Sequence, residues 1–279
     1  MAAPYVVCVG LATRDAVFPV PCHPAPDDCV LARDVVVAGG GPAATAAVAL
    51  ARLGVETFFV GAVGQDETGE FIRESLDREG VDLSHLAVVS GARSPQSAIL
   101  VSAEGERAIV AFRGERLRIE VDPDLCRGAA WVHVDQAGYA AAASLRDDVR
   151  LSIDGGNPIA GLDLRGVALY APTETALRTA FGTPEAGVAA GAELVVVTRG
   201  ERGSAAYTRE GEVASAPGHP TDVVSTLGAG DVFHGALLAQ LVRGAPLADA
   251  LAFANTCAAL SCRALDGRSA IPTLAEVAA

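Results

Sequence analysis

The stretch Ser225-Thr226-Leu227-Gly228-Ala229-Gly230-Asp231-Val232-Phe233-His234-Gly235-Ala236 decides how the chain is read. It follows a short β-rich piece, Asp222 to Val224, and runs into an apolar segment, Ala229 to Arg243, with the composition of a helix. The N-terminus of a helix leaves backbone N–H groups unpaired and carries the positive end of the dipole. With Gly228, Ala229 and Gly230 at that point, the backbone can approach an anion closely and form a nest for a phosphate or for developing negative charge. Asp231 falls in the first turn. An acid there can simply serve the helix terminus. Beside a phosphate nest it can also take a proton from an attacking hydroxyl while the nest holds the transferred group.

Outward from that stretch the pattern is strand–helix alternation. Tyr5 to Gly10, Thr57 to Val60, Trp131 to Val134, Leu151 to Ile153, Val167 to Tyr170 and Leu194 to Thr198 are short apolar runs of strand length. Helical stretches separate them: Pro42 to Leu53, with Pro in its first turn and Gly54 as its stop, Thr68 to Glu79, and Leu247 to Ala264. Such alternation predicts a mostly parallel sheet covered by helices on both faces. Two regions break it. Residues 16–38 hold four prolines and two β-rich pieces, Cys29 to Leu31 and Asp34 to Val37, and Ser97 to Ser102 with Ala108 to Phe112 reads as a hairpin around Glu104, Gly105 and Glu106. These regions predict a small β-sheet lid, residues 12–38 and 92–115, on a single domain spanning 1–279.

The bulk numbers narrow the function. The net charge of −13 speaks against a free-standing nucleic-acid binder. All 21 basic residues are arginines, so a Walker-A lysine and a Schiff-base lysine are excluded. The six cysteines include no CxxC and read as reduced thiols. The N-terminus shows no secretory pattern, and the longest apolar stretch, Val35 to Ala51, is broken by glycines and Pro42. The expectation is a cytoplasmic protein without membrane or nucleic-acid partners.

Taken together, Thr226 to Ala236 resembles the C-terminal signature of the pfkB (ribokinase-like) carbohydrate kinases, and Gly39-Gly40-Gly41-Pro42 continuing to Gly54 resembles their N-terminal signature. The resemblance implies a Rossmann-like α/β domain with a β-lid, ATP as donor, Mg2+ as helper and room for a monovalent cation. It implies Asp231 as the base, with Gly228, Ala229 and Gly230 as the anion hole. Asp15 matches the acid that binds sugar hydroxyls, Gly40 and Gly41 the glycines that let the backbone touch the sugar, and Thr45 a position where many members carry asparagine. Gln96 is a candidate to reach the sugar from the lid. On the nucleotide side the resemblance points to Thr198, Gly200, Gly203, Thr226 and Asn255. The family's Asn-x-x-Glu is reduced to Glu174 in Pro172-Thr173-Glu174-Thr175, which leaves Glu174 as the metal candidate.

The motifs look most like the sulfofructose kinase and ketohexokinase-like branch. That implies transfer to a hydroxyl, expected to be primary, of a ketose or related sugar. Cys29, Ala111 and Ala137 stand where Lys, Asn and Arg are expected for a sulfonate, with Arg14, Arg33 and Arg113 nearby to compensate. The alternatives are a sulfofructose kinase proper, an adenosine-type nucleoside kinase stacking its base on Phe18 or Phe112, and a non-catalytic sugar- or nucleotide-binding homologue. A homodimer through the lid, covering its open edges, is the expected assembly.

Overall fold

The apolar runs become strands, and the sheet they build carries the site at one edge. The computed structural model describes residues 3–103 and 105–277. In chain order the strands are β1 (Tyr5–Val9), β2 (Thr13–Pro19), β3 (Val36–Gly40), β4 (Glu56–Gly64), β5 (Leu86–Val89), β6 (Gln96–Val101) and β7 (Arg107–Phe112). They continue with β8 (Trp131–Val134), β9 (Leu151–Asp154), β10 (Leu169–Ala171), β11 (Leu194–Thr198), β12 (Ser204–Thr208) and β13 (Gly211–Ala216). The helices are α1 (Pro42–Arg52), α2 (Glu67–Asp77), α3 (Pro123–Gly128), α4 (Tyr139–Ala142), α5 (Glu174–Ala180), α6 (Pro184–Ala189), α7 (Ala229–Val242), α8 (Leu247–Ser261) and α9 (Leu274–Val277).

Nine strands form the large sheet in the order β13-β12-β11-β10-β9-β8-β1-β4-β5. It is parallel from β10–β11 across to β4–β5, and β12 and β13 add an antiparallel edge. Alternation along β1 splits the core. Val6 and Cys8 join α1, α7 and α8 on one face, while Val7 and Val9 join the packing around Tyr139, Leu177 and Val188 on the other. From β1 the chain runs through β4 to β5 on one side, then returns to build β8 to β11 on the other. The order therefore reverses between β1 and β8, and the crevice beyond the C-terminal ends of the strands at such a reversal is where ligands bind in open α/β sheets.

The expected small sheet is present as a separate four-stranded sheet, β3-β2-β6-β7, whose strand β3 runs on to Gly40. Its pairing alternates: β2–β3 antiparallel, β2–β6 parallel, β6–β7 antiparallel. Two expected strands are absent. Cys29 to Leu31 lies outside any strand, with Leu31 83% exposed and no neighbour to pair with, and the second piece extends instead to Val36–Gly40. Asp222 to Val224 is irregular because the N–H groups of Val224 and Ser225 both turn to the carbonyl of Cys262 (2.8 and 3.1 Å). The β6–β7 hairpin forms as expected; Glu104 at its turn lies outside the described residues.

α7 is apolar all round because it is enclosed, packed between α1 and α8. Gly235 makes the close approach possible, since a Cβ there would lie 2.5 Å from the Ala46 carbonyl oxygen of α1. That contact fixes the start of α7 relative to the start of α1. None of the helices among the described residues is long and apolar enough to cross a membrane.

Candidate active site

Five of the parallel strands end at the same crevice. Leu11 follows β1, Gln136 follows β8, Asp154 ends β9, Ala171 ends β10 and Thr198 ends β11, and all line one cavity of about 300 Å³. The small sheet roofs it. Strand alternation sends Thr13 and Asp15 of β2, Ser97 and Ile99 of β6, and Arg107, Ile109, Ala111 and the following Arg113 of β7 inward. The third wall is the loop 226–228 with the start of α7, including Gly228, Gly230, Asp231 and His234. A second depression, of about 520 Å³ beside the N-terminus of α2, is lined by Asp66, Glu67, Glu70 and Arg73, and there Asp66 is occupied by the Gly69 and Ser94 N–H groups and the Ser94 hydroxyl.

At the phosphate end, Gly228 has φ +74°, a left-handed turn in which a side chain is strained, and a Cβ there would crowd Gly267 at 2.9 Å. A Cβ at Gly230 would meet nothing within 4 Å, so the space above its backbone is open. The expected anion hole needs one correction. The N–H of Ala229 donates to the Thr226 carbonyl at 3.3 Å, closing the turn that leads into α7. At the start of α7 the amides of Gly228, Gly230 and Asp231 are left without a backbone acceptor among the described residues.

Asp231 sits in the first turn of α7 and faces the cavity. Burial and the neighbouring Asp154 carboxylate push its carboxyl up to about 8, against the pull of His234. Asp154 is itself fixed: one oxygen accepts from the Gly156 N–H at 2.7 Å, and the other lies 3.4 Å from Nδ1 of His234.

At the sugar end, Asp15 is buried, bonded by the Thr13 hydroxyl at 2.8 Å, and its carboxyl is raised by burial. Gly40 and Gly41 line the cavity, but their first reason for being glycine is internal. A Cβ at 40 would overlap the Asp15 carboxylate, and Gly41, at φ +92°, presses on the Leu11 carbonyl. Thr45 lines the cavity while its hydroxyl accepts from Nε of Arg268 at 3.2 Å. Gln96 is corrected: it is outside the lining because alternation turns it to the opposite face of β6, and Ser97 takes the inward position. Of the three arginines near the sugar motifs only Arg113 reaches the cavity. Arg14 lies over the Phe71 ring on the far face, and Arg33 stands exposed in the loop before β3.

On the nucleotide side, Thr198 and Thr226 line the cavity. Gly200, Gly203 and Asn255 do not line it. Gly203, in the turn that opens with Gly200, packs against the Ala216–Gly218 backbone, and Asn255 donates to the carbonyls of Ala216 and Pro217 at 3.1 and 3.0 Å. Glu174 is tied up by arginine, at 2.6 Å from Arg202 and 3.8 Å from Arg178, and is not part of the lining. Among the described residues no cluster of three His, Cys, Asp or Glu side chains is arranged to hold a metal ion. That donor set fits Mg2+ only as an ion carried mainly by nucleotide phosphates.

Several residues at the site were not singled out from sequence, among them Asp135, Arg268 and Gln136, as well as Asp154, His234 and Arg107 of the lining. Asp135, wholly buried, accepts from the N–H groups of Leu11, Ala43, Ala137 and Gly138 at 2.8–3.2 Å and ties β1, α1 and β8 together under the cavity floor. Arg268, also buried, donates to the Gly40 carbonyl at 2.6 Å and to Thr45, and burial pulls its guanidinium down to about 10. Gln136 faces the cavity with both amide atoms buried and without partners among the described residues. Asp135 and Arg268 find their partners up to 228 residues away, beyond the reach of local pattern.

A family model described as "pfkB family carbohydrate kinase" matches residues 3–152 and 163–274. An ATP-dependent ribose-1-phosphate kinase of Halopiger xanaduensis is 31% identical over 98% of this chain and 97% of its own. Among solved structures, a putative ribokinase from Agrobacterium tumefaciens superposes with a TM-score of 0.88 at 28% identity, covering 99% of this chain and 97% of that one. The ribokinase of Arabidopsis thaliana, solved with ribose and ATP, shares the fold at a TM-score of 0.83 and 24% identity, covering 99% and 98% of the two chains.

Proposed function

Since the chain belongs to the pfkB family of carbohydrate kinases, we propose that it transfers the γ-phosphoryl group of ATP to a primary hydroxyl of a monosaccharide, with Asp231 as the general base. The observation that carries this is the meeting of three parts in one cavity: the Gly228–Gly230 nest, the Asp231 carboxyl and, on the roof, Asp15. The sugar's hydroxyls bond to Asp15, a carboxylate able to accept from two of them. The reacting hydroxyl gives its proton to Asp231, its oxygen bonds to the γ-phosphorus, and ADP leaves with the bonding pair of the broken P–O bond. Amides of Gly228 and Gly230 take up charge on the equatorial oxygens as transfer proceeds.

ATP enters from the side of Thr198 and Thr226, with Arg107 able to meet its phosphates. The family resemblance supports Gly200, Gly203 and Asn255 on the nucleotide side. Mg2+ supplies charge neutralisation between the phosphates. The small sheet acts as the lid. Its outer apolar side chains, among them Val110 at 76% exposure, support pairing of two lids in a homodimer.

The test is an ATP-turnover assay against ketoses, aldoses, sugar phosphates and nucleosides, with Asp231→Asn as control. Turnover with a sugar that Asp231→Asn abolishes supports the reading; no turnover with any of them overturns it in favour of a binding protein. A second reading, a sugar that already carries an anionic group, is favoured by Arg113 on the inward face and by the ribose-1-phosphate kinase relative. Higher kcat/KM for ribose 1-phosphate than for ribose would select it. The nucleoside alternative draws little support, since the lining holds no aromatic ring besides His234.

A further inference from the structure

His234 is the one imidazole in the cavity lining, and the transfer scheme gives it no task. It lies three residues beyond Asp231 on α7, so the two side chains share a helix face. It is 4% exposed and its partner Asp154 2% exposed, too dry for either charge to be carried alone. Nδ1 of His234 lies 3.4 Å from Oδ2 of Asp154 and has no hydrogen-bond partner meeting strict geometry among the described residues. Asp154 cannot swing away, because its other oxygen is held by the Gly156 amide. Behind the pair stands the His133 ring, 5.5 Å from that of His234 and bonded at Nδ1 to the Ser152 hydroxyl at 3.1 Å.

We propose that His234, clasped by Asp154, is a positioning residue for the transfer: one helical turn beyond Asp231, it favours the ionised form of the base carboxyl against the two buried aspartates around it. This rests on the reading of Asp231 as the base.

The charges around it support that role. Burial by itself disfavours a charged His234, but the Asp154 carboxylate outweighs it, with help from Asp231 and the Ala171 carbonyl, and the imidazole is raised above its ordinary value. Asp154 is correspondingly lowered: burial works to raise it, but His234, the Gly156 amide and His133 together outweigh that. His133 is driven down to about 3 by burial and by His234, so it backs the pair as a neutral ring. Asp231 faces three further charges: Asp154 and Asp135 disfavour its ionised form, and Arg268 favours it. His234 is therefore the cation nearest in sequence to the base, on the same helix. Without it, Asp154 and Asp135 would act on Asp231 with only Arg268 opposing.

The experiment has two parts on the full-length chain. First, side-chain 15N NMR of the wild type follows the His234 ring from pH 6 to 9. A ring still charged at pH 7.5 is expected, and a ring neutral at pH 7 overturns the proposal whether or not any variant folds. Second, pH profiles of kcat/KM are measured for wild type and His234→Asn with ATP and the best acceptor among D-ribose, D-fructose and ribose 1-phosphate. The acid limb of the variant is expected to move up by about one pH unit, a loss of about tenfold at pH 7 that is recovered above pH 9. A profile lowered equally at every pH, which a purely structural ion pair would give, overturns the proposal. Failure of the base reading looks different: Asp231→Asn would then keep its turnover.

Discussion

Arg107, at the start of β7, donates through Nη1 to the hydroxyl of Thr226 at 2.7 Å and so joins the small sheet to the loop that precedes the phosphate nest. The two residues are 119 positions apart, and both line the cavity. The guanidinium ties the roof to the loop. A triphosphate entering beside Thr226 offers it a stronger, charge-assisted partner.

Arg107→Ala is therefore expected to raise KM for ATP by about tenfold, the loss of roughly one charge-assisted hydrogen bond, while KM for the sugar changes less. Steady-state kinetics with each substrate varied in turn measures the split. An effect confined to the sugar would place Arg107 at the other end of the site.

Asp231→Asn keeps the shape of the side chain and removes its ability to accept a proton. Turnover is expected to fall by about 10²- to 10⁴-fold, the usual share of a general base. Sugar binding, followed by calorimetry or by intrinsic fluorescence of the chain's single Trp131, should stay within a few-fold.

The same carboxyl gives a pH signature. An isolated Asp ionises near 3.8, and burial with Asp154 raises this one to about 8. The base works only when ionised, so kcat/KM should climb tenfold per unit below about pH 8 and level off above it. Stability runs the opposite way. The folded chain holds a proton that the unfolded chain releases above about pH 4, so this group's contribution is lost as pH rises from about 4 through 8. Asp231→Asn should thus melt progressively higher than wild type as pH increases toward 9, as read by thermal denaturation. A gap that stays constant with pH would mean that the carboxyl titrates normally.

Period and punctuation carried most of the architecture. Six of the nine strands of the large sheet follow from apolar runs separated by helical stretches, while β5, β12 and β13 are not read from the sequence; α1 and α7 start within a residue or so of where Pro42 and Gly228 predict them. Asp231 and Thr198 reach the cavity from a helix start and a strand end, Thr226 from the loop before α7, and Asp15 from the inward face of β2; all four belong to motifs that local pattern marks. Legibility failed where the decision belongs to distant partners. Gln96 and Ser97 differ only in which face of β6 they occupy, and that register is set by pairing with β2 and β7. Asp222 to Val224 has strand composition but is claimed by the Cys262 carbonyl. Asn255 and Glu174 have side chains that suit a ligand, yet they spend them on Ala216, Pro217 and Arg202.

The glycines of the nest allow stability and chemistry to be separated. At Gly228 the backbone is left-handed and a methyl would press on Gly267, so Gly228→Ala should lose about 1–2 kcal/mol of stability as well as activity. At Gly230, near the start of α7, a methyl meets no protein atom within 4 Å. Alanine there also favours the helix, by up to roughly 1 kcal/mol in a helix interior and less at its end. Gly230→Ala should therefore melt at or slightly above the wild-type temperature. Its methyl would nevertheless stand in the opening above the nest, where the transferred group must approach the amide. Turnover should fall by at least tenfold, with the sugar KM little changed, because Asp15, the proposed sugar contact, lies on the small sheet and not on α7. A Gly230→Ala enzyme with undiminished kcat would mean that the phosphoryl group passes elsewhere, and the nest at the start of α7 would lose its role in the transfer.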